Sequence, residues 1–581
     1  MNLKDNKMNK IIELKKLFAA NQIDSYIIPT HDQYLNEDVP LKYQRLKYLT
    51  NFSGSNGLAL ITKTDNILFT DGRYLLQAKT ELALDFQIIE YSEANLLVYL
   101  ARCRTIGFDP KLHTIKQIIH FITKQKNWQL KAVDQNLVDL LWKKKPETLN
   151  SIFIHDIMYT GQSIDFKVKN ITQQLKQEDI DAIIITAPDS ICWLLNLRGN
   201  SAIYTPIILG YLLVFQDGSM LLFLETQPST EIKSYLRKRY VKIALMSDLA
   251  NEISVLVKKK VQASPNSPFW IYQLFPQLVL KEDPCQLLKA CKNSVEIKGA
   301  IEAHLKDGVA VTEFLCWLEQ NYLEQQISEL SAGEKLLQYR QQQLHFVHPS
   351  FSTIMGFAEN GAVIHYLPNV QSNKIITGNN LLLIDSGGQY YDGTTDVTRV
   401  VAIGKPTTEQ IHNYTIVLKC HIWLASATFP VGTSGMQLDS LARIELWQEG
   451  KDYAHGTGHG VGSFLAVHEG PQRISKTASN LALQAGMILS VEPGYYQEGA
   501  YGIRIENLVY VIQSQYHNFL CFRPLTKVPF APELIDFTIL TTYEYEWLKN
   551  YHQDVLGSLE EFLQPDTKIW LKQKILQFSM C

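Results

Sequence analysis

The sequence predicts a chain of α/β and α+β units in series, the last of them rich in buried acids. Three observations predict it. Short β-rich runs alternate with helical patterns over roughly the first half of the chain. A long helical pattern then opens at Ser294. Beyond it, Asp385, Asp396, His459, Glu492 and Glu506 stand at strand ends and in Gly-rich loops. At 581 residues the chain is too long for one core, and a span of about 100–200 residues per domain predicts three or four.

The opening stretch MNLKDNKMNKIIELKKLFAANQ reads as a polar, amphipathic helix without the apolar core and cleavage site of a secretory signal. The runs SYIIPT, GLALIT and NILFTDGRY then alternate with helical patterns, an α/β layout. The polar KKKPETLN near 143–150 marks a boundary, and a second α/β unit follows with DAIIIT, GYLLVF and MLLFLE. These two units could share a fold. SPNSP at 264–268 and Pro284 lead into SVEIKGAIEAHLKDGVAVTEFLCWLEQNYLEQQ, a helix with Ser294 and Glu296 as early capping and dipole-compatible groups. From about residue 520 a tail rich in Phe, Tyr, Leu and Trp ends in the helical TYEYEWLKNYHQDVLGSLEEFL.

Bulk composition excludes several classes. A 46% hydrophobic share with 19% charged residues describes a soluble globular protein. The net charge of −3 and pI near 6.6 leave no electrostatic footprint for nucleic acid. The longest apolar stretch, around Ile207–Phe215, falls short of the ~20 residues that span a bilayer. Eight cysteines without a CxxC pair read as free thiols of a reducing cytoplasm.

The five acidic and imidazole groups carry the chemistry. Four carboxylates with one imidazole hold too much negative charge for one structural zinc, which prefers thiolates and histidines. They suit two harder divalent ions sharing carboxylates and a water, the usual machinery of metal-assisted hydrolysis. Asp385 closes the apolar run Leu381–Ile384 and Asp396 opens DVTRVVAI. One extended strand would hold them about 35 Å apart, so the turn pair Asp392–Gly393 must fold the chain back as a hairpin, with a bulge at Gly387–Gly388 setting its register. Glu492 ends MILSV before Pro493. In IRIENLVYV, period-two alternation places Arg504 and Glu506 on one face of a single strand, where both need partners. His455 and His459 lie among glycines 456, 458, 460 and 462, which rule out a regular helix and leave a flexible loop. His365 and His468 complete the set. Ser386 in the Asp-Ser-Gly-Gly run has the look of a nucleophile loop, but that reading leaves the later acids unexplained.

Taken together, IHYLP, LLLIDSGGQYYDGTTDVTR, HGTGHGVGSFLAVHEGP, SVEPGYY and GIRIENL resemble the pita-bread metallopeptidases, and in particular the large three-domain aminopeptidases P, the Xaa-Pro aminopeptidases. RLKYLTNFSGSNG, ICWLLNLRGN and the ending PLTKVPFAPELIDFTILTTYEYEWLKNYH extend the resemblance over nearly the whole chain, while GNSAIYTPIIL departs from it. The resemblance implies two creatinase/prolidase-like N-terminal domains (1–148 and 149–290), a pita-bread catalytic domain (291–518) and a C-terminal extension (519–581). It implies that Asp396 and Glu506 bridge two divalent ions, most often Mn²⁺, with Zn²⁺ or Co²⁺ compatible with the same ligands. Asp385 completes one shell, and His459 with Glu492 the other. Arg504 orders the carboxylates, Glu492 handles the proton, His365 and His468 face the carbonyl oxygen, and His455 lines the proline pocket. Peptides with proline in second position are then the substrates, and a homodimer the expected assembly. The alternatives are a prolidase, which cleaves only Xaa-Pro dipeptides, and a non-enzymatic binding protein on the same scaffold.

Overall fold

The computed structural model describes residues 3–579 apart from 84, 126, 148–149 and 276. The boundary expected at 148/149 thus lies outside the described residues, as does Cys581. The chain divides into two compact units, residues 1–157 with 162–286, and residues 158–161 with 287–581.

The first unit holds two six-stranded mixed sheets of one topology. In the first, Ser25–Pro29 pairs antiparallel with Gly57–Thr62 and parallel with Thr105–Phe108. In the second, Ala182–Ile185 pairs antiparallel with Gly210–Phe215 and parallel with Val261–Ala263. The outer strands repeat the correspondence. The inner strands are short apolar runs buried on both faces, as parallel and mixed sheets between helices require. The opening helix, Leu3–Ala20, buries Ile11, Leu14 and Phe18 at three- and four-residue spacing. Glu225, just past the end of the inner strand Met220–Leu224 of the second sheet, accepts hydrogen bonds from Tyr34 (2.9 Å) and Lys42 (2.5 Å) of the first domain.

The second unit opens on the helix Ser294–Asn321. Its N-cap is Asn293, one residue before the Ser294 expected from sequence. Asn293 and Glu296 form a reciprocal capping box, so the carboxamide takes the role assigned to the hydroxyl. The helix stops at Asn321, short of the LEQQ at the end of the sequence pattern. A three-stranded antiparallel sheet follows, with Asn380–Ser386 between Ile354–Phe357 and Val397–Ile403. A six-stranded sheet carries Asn507–Gln513, Ile488–Val491, Gly458–Gly460 and Glu469–Ile474 in adjacent positions. The tail is core. Phe530 stacks on Tyr551 (4.9 Å) and Tyr551 on Trp547 (5.3 Å), and His421 of the helix Thr408–Ala425 meets Phe530 edge-on. The expected tail helix spans Thr542–Leu559, capped by Thr541 and Glu544, and a second helix, Pro565–Leu576, follows it. The seven described cysteines are free thiols. No helix among the described residues is long and apolar enough to cross a membrane.

Candidate metal centre

The chain does return between the two aspartates, but one residue earlier than expected: the turn is Tyr391–Asp392, and Gly393, read from sequence as the second turn residue, already pairs with Tyr390 in a strand. Asp385 pairs with Thr398 and Ser386 with Val397 across the central sheet. After Gly387 the chain leaves that sheet for a second short ladder, in which Gln389 pairs with Thr394. A Cβ on Gly387 would lie 2.0 Å from the Thr395 carbonyl, so only glycine permits the crossing. The return brings Asp396 back beside Asp385.

The run IRIENLVYV is not one strand. Tyr501–Arg504 pairs with Gly494–Gln497, whereas Asn507–Gln513 pairs with Ile488–Val491. Between them the Ile505 N–H donates to the Pro493 carbonyl and the Glu506 N–H to the Thr398 carbonyl. Glu506 therefore sits in a break, and Arg504 is not its ion-pair partner. Arg504 Nη2 reaches Asp385 Oδ2 at 2.5 Å. Arg504 and Glu506 meet only through the Thr398 hydroxyl, which accepts from Arg504 Nε at 3.3 Å and donates to Glu506 at 2.9 Å.

His459 belongs to a three-residue strand, Gly458–Gly460, rather than a flexible loop. The glycines serve close packing: a Cβ would come within 2.1 Å of the Ser490 carbonyl at Gly458 and 2.3 Å of Gln472 at Gly460. His459 Nδ1 bonds to the Gly460 carbonyl at 2.9 Å, which fixes the proton there. Its Nε2 points at the acids, 3.5 Å from both Asp396 and Glu492. Glu492 leaves the end of the strand Ile488–Val491 and accepts the Ser490 hydroxyl at 3.1 Å.

Three groups of ligand atoms result, each lying within 4.8 Å of one another: Asp385, Asp396 and Glu506; His459, Glu492 and Glu506; and Asp396, His459 and His468. All five of the acidic and imidazole groups read from sequence converge. His468 joins them, its ring 4.4 Å from that of His459 and edge-on to it. Asp385, Asp396 and Glu506 are buried, at 8%, 4% and 1% exposure, yet Asp385 Oδ1, Asp396 Oδ1 and Glu506 Oε1 accept no hydrogen bond among the described residues. Burial, reinforced by Asp385 and Glu492, pushes the Asp396 carboxyl far above the usual range. Burial with Asp396, Glu492 and Asp385 does the same to Glu506. Such a cluster fits divalent cations: hard oxygen donors, excess negative charge and unused lone pairs.

His455 stands beside this cluster. Its Nδ1 donates to the Gly456 carbonyl at 2.8 Å, so its Nε2 accepts the Tyr496 hydroxyl at 2.8 Å. That hydroxyl in turn accepts from Arg504 Nη1 at 2.7 Å, and burial pushes its pKa up to about 12. Tyr496 and Thr398 were missed by sequence reasoning. The SVEPGYY motif holds the tyrosine, but nothing local distinguishes it from Tyr495. His365 is half-buried, three residues beyond the turn Ala358–Ala362, which packs against the strand Tyr501–Arg504.

The model for metallopeptidase family M24 matches residues 298–513 of the chain, and that for the C-terminal region of peptidase M24 matches 518–578. Models for the creatinase/prolidase N-terminal domain match 10–139 and 143–296. Xaa-Pro aminopeptidase 1 of Dictyostelium discoideum is 37% identical, over 97% of this chain and 96% of its own length. Aminopeptidase P1 of Lotus japonicus is 33% identical, over 97% and 99%. The crystal structure of X-prolyl aminopeptidase from Caenorhabditis elegans, described as a cytosolic enzyme with a di-nuclear active site, superposes with a TM-score of 0.94 at 33% identity, covering 98% of this chain and 99% of that one. The prolidase of Pyrococcus horikoshii shares the fold over only 63% of this chain, with a TM-score of 0.50. The chain belongs to metallopeptidase family M24 and, over nearly its whole length, to the Xaa-Pro aminopeptidases within it.

Proposed function

We propose that the acidic cluster holds two divalent metal ions, most readily Mn²⁺, and that the site hydrolyses the bond between an N-terminal residue and a following proline. The observation that carries this reading is the set of three buried carboxylates with unused oxygens, held within 4.8 Å of one another. Asp396 and Glu506 are assigned as the shared ligands, Asp385 as ligand to one ion, and His459 with Glu492 to the other. Bound ions of this kind lower the pKa of a coordinated water from 15.7 towards about 7 and polarise a carbonyl.

The residues of the chain do the rest. Glu492, at the more open side of the cluster with its side chain 18% exposed, takes up the water's proton and returns it to the leaving proline nitrogen. His468 and His365 face the carbonyl oxygen as negative charge grows on it. His455 has its Nδ1 proton on a carbonyl and its Nε2 lone pair on Tyr496. These two bonds hold the imidazole in a fixed orientation, from which it serves as a wall for the proline ring. Arg504 holds Asp385 and the Tyr496 hydroxyl together. Proline supplies no N–H and a fixed φ, so a rigid wall recognises it by shape.

Purified protein loaded with Mn²⁺ should contain two ions per chain and cleave Xaa-Pro-Yaa but not matched Xaa-Ala-Yaa peptides. Equal hydrolysis of the two series would overturn the assignment, and hydrolysis confined to Xaa-Pro dipeptides would make the chain a prolidase. The match to aminopeptidases P over nearly the full length favours the longer substrates. The domain limits 1–148, 149–290, 291–518 and 519–581, a cytoplasmic location and a homodimer complete the reading. Sedimentation tests the last.

A further inference from the structure

Between His459 and His468 the chain makes an excursion containing Gly460 and Gly462, and the structure grips it at two points. At its tip, the Leu465 carbonyl accepts from Gln389 Nε2 at 2.7 Å and the Leu465 N–H donates to the Thr394 hydroxyl at 3.2 Å. Gln389 is fully buried. At its base, Glu469, the residue after His468, is locked in a buried ion cluster. Lys292 bonds to its Oε1, and Lys289 lies 3.1 Å from its Oε2 while donating to the Gly470 carbonyl at 3.4 Å. All three side chains are 1% exposed. The anchor is itself held, since the Lys292 N–H donates to the Gly486 carbonyl at 3.0 Å. The excursion packs directly on this cluster. A Cβ on Gly462 would lie 3.1 Å from Glu469 Oε2, and one on Gly460 2.4 Å from the Glu469 carbonyl.

Buried ion clusters are weak sources of stability, because desolvation offsets most of their attraction, but they fix geometry. Next to Glu469 in sequence stands His468, its ring 4.4 Å from that of His459. We propose that Glu469, gripped by Lys289 and Lys292, and Gln389, gripping Leu465, form a two-point clamp that sets where the His468 imidazole stands against the acidic cluster. Glu469 and Gln389 are positioning residues, and they act through His468. The proposal rests on the reading of His468 as a catalytic group.

The test is a double-mutant cycle on the Mn²⁺-loaded full chain, with Xaa-Pro-Yaa as substrate. Glu469→Gln should lower kcat roughly 10- to 100-fold, as loss of an orienting partner does, with KM and metal content unchanged. In a His468→Ala background the same change should cost less than about twofold, because residues acting as one unit are non-additive. An equal loss in both backgrounds, or none in the native one, overturns the clamp. If His468→Ala alone leaves kcat unchanged, the reading of His468 falls and the clamp falls with it. If His468→Ala impairs catalysis while Glu469→Gln acts independently of it, only the clamp falls. Should Glu469→Gln fail to fold, Gln389→Met, which loosens the tip without stranding a buried charge, goes through the same cycle with the same expected and overturning results.

Discussion

Two buried carboxylate sites in the second unit meet opposite fates. Asp307 accepts Arg340 in a two-pronged pair at 2.7 and 3.1 Å, and the Tyr390 hydroxyl at 2.9 Å. Burial works against its charge, yet these partners hold its carboxyl below the usual range. Asp396 and Glu506 are as deeply buried, and burial with the negative charge of neighbouring acids pushes both far above that range. Burial alone therefore does not decide the charge of an acid; the stock of partners does. Asp307 has a complete set from its own chain. Among the described residues the cluster has one guanidinium, Arg504 on Asp385, with the Thr398 hydroxyl on Glu506 and the Ser490 hydroxyl on Glu492. Its remaining lone pairs are shaped for cations brought from outside.

This contrast predicts opposite responses to the same substitution. Asp396→Asn should abolish Xaa-Pro hydrolysis by more than the roughly 10²–10³ that one lost oxyanion donor costs, and should drop metal content below two ions per chain. It should leave the metal-free protein at least as stable, since a like-charge neighbour has gone. Asp307→Asn should do the reverse. Breaking one side of a buried pair costs about 3–5 kcal/mol, visible as a lower urea midpoint, while metal content per folded chain stays at two. Metal analysis and urea titration of both variants check the pair, and a destabilised, metal-replete Asp396→Asn would break the comparison.

Much of this was legible in the sequence, and the limits have physical causes. The acids were visible because charge at the end of an apolar run such as Leu381–Ile384 has few harmless explanations. The return between Asp385 and Asp396 followed from reach once the two carboxylates were taken to share an ion. Alternation in IRIENLVYV, however, reports only which side chains are apolar. It does not report that the backbone changes partners at Ile505 and Glu506, from Pro493 to Thr398. Glycines 458 and 460 read as flexibility, whereas contacts with Ser490 and Gln472 make them packing residues. Thr398 and Tyr496 were hidden because a hydroxyl carries no periodic signal. Glu469 lies 177 residues from Lys292, a pairing that no local pattern encodes.

Arg504 is the link by which the cluster resembles the Asp307 site, so its removal sharpens the contrast. Arg504→Met should weaken metal retention or activity about 10- to 100-fold, the usual cost of losing a partner that orients a ligand. Arg504→Lys should restore little of it. A single ammonium cannot reach Asp385 and Tyr496 together as the forked guanidinium does. Chelator competition gives the measurement, and full rescue by lysine would reduce the role of Arg504 to charge alone.

The smallest effect is one of pH on stability. In the metal-free chain, the raised Asp396 and Glu506 carboxyls keep their protons to higher pH than they do when unfolded. Their contribution to stability is full below the ordinary carboxylate pKa of about 4 and is lost as pH rises through the raised values. Bound cations replace those protons, so the loaded protein escapes the loss. The gap in Tm between Mn²⁺-loaded and chelated protein should thus be narrow in acid and widen towards neutral pH. At a free ion concentration 100 times Kd, one site adds about 2.7 kcal/mol. Asp307 predicts no such widening, because its folded carboxyl is depressed and its contribution is kept throughout that range. A Tm gap that stayed constant with pH would show that Asp396 and Glu506 are already ionised without metal, and that the two buried sites differ less than their partners imply.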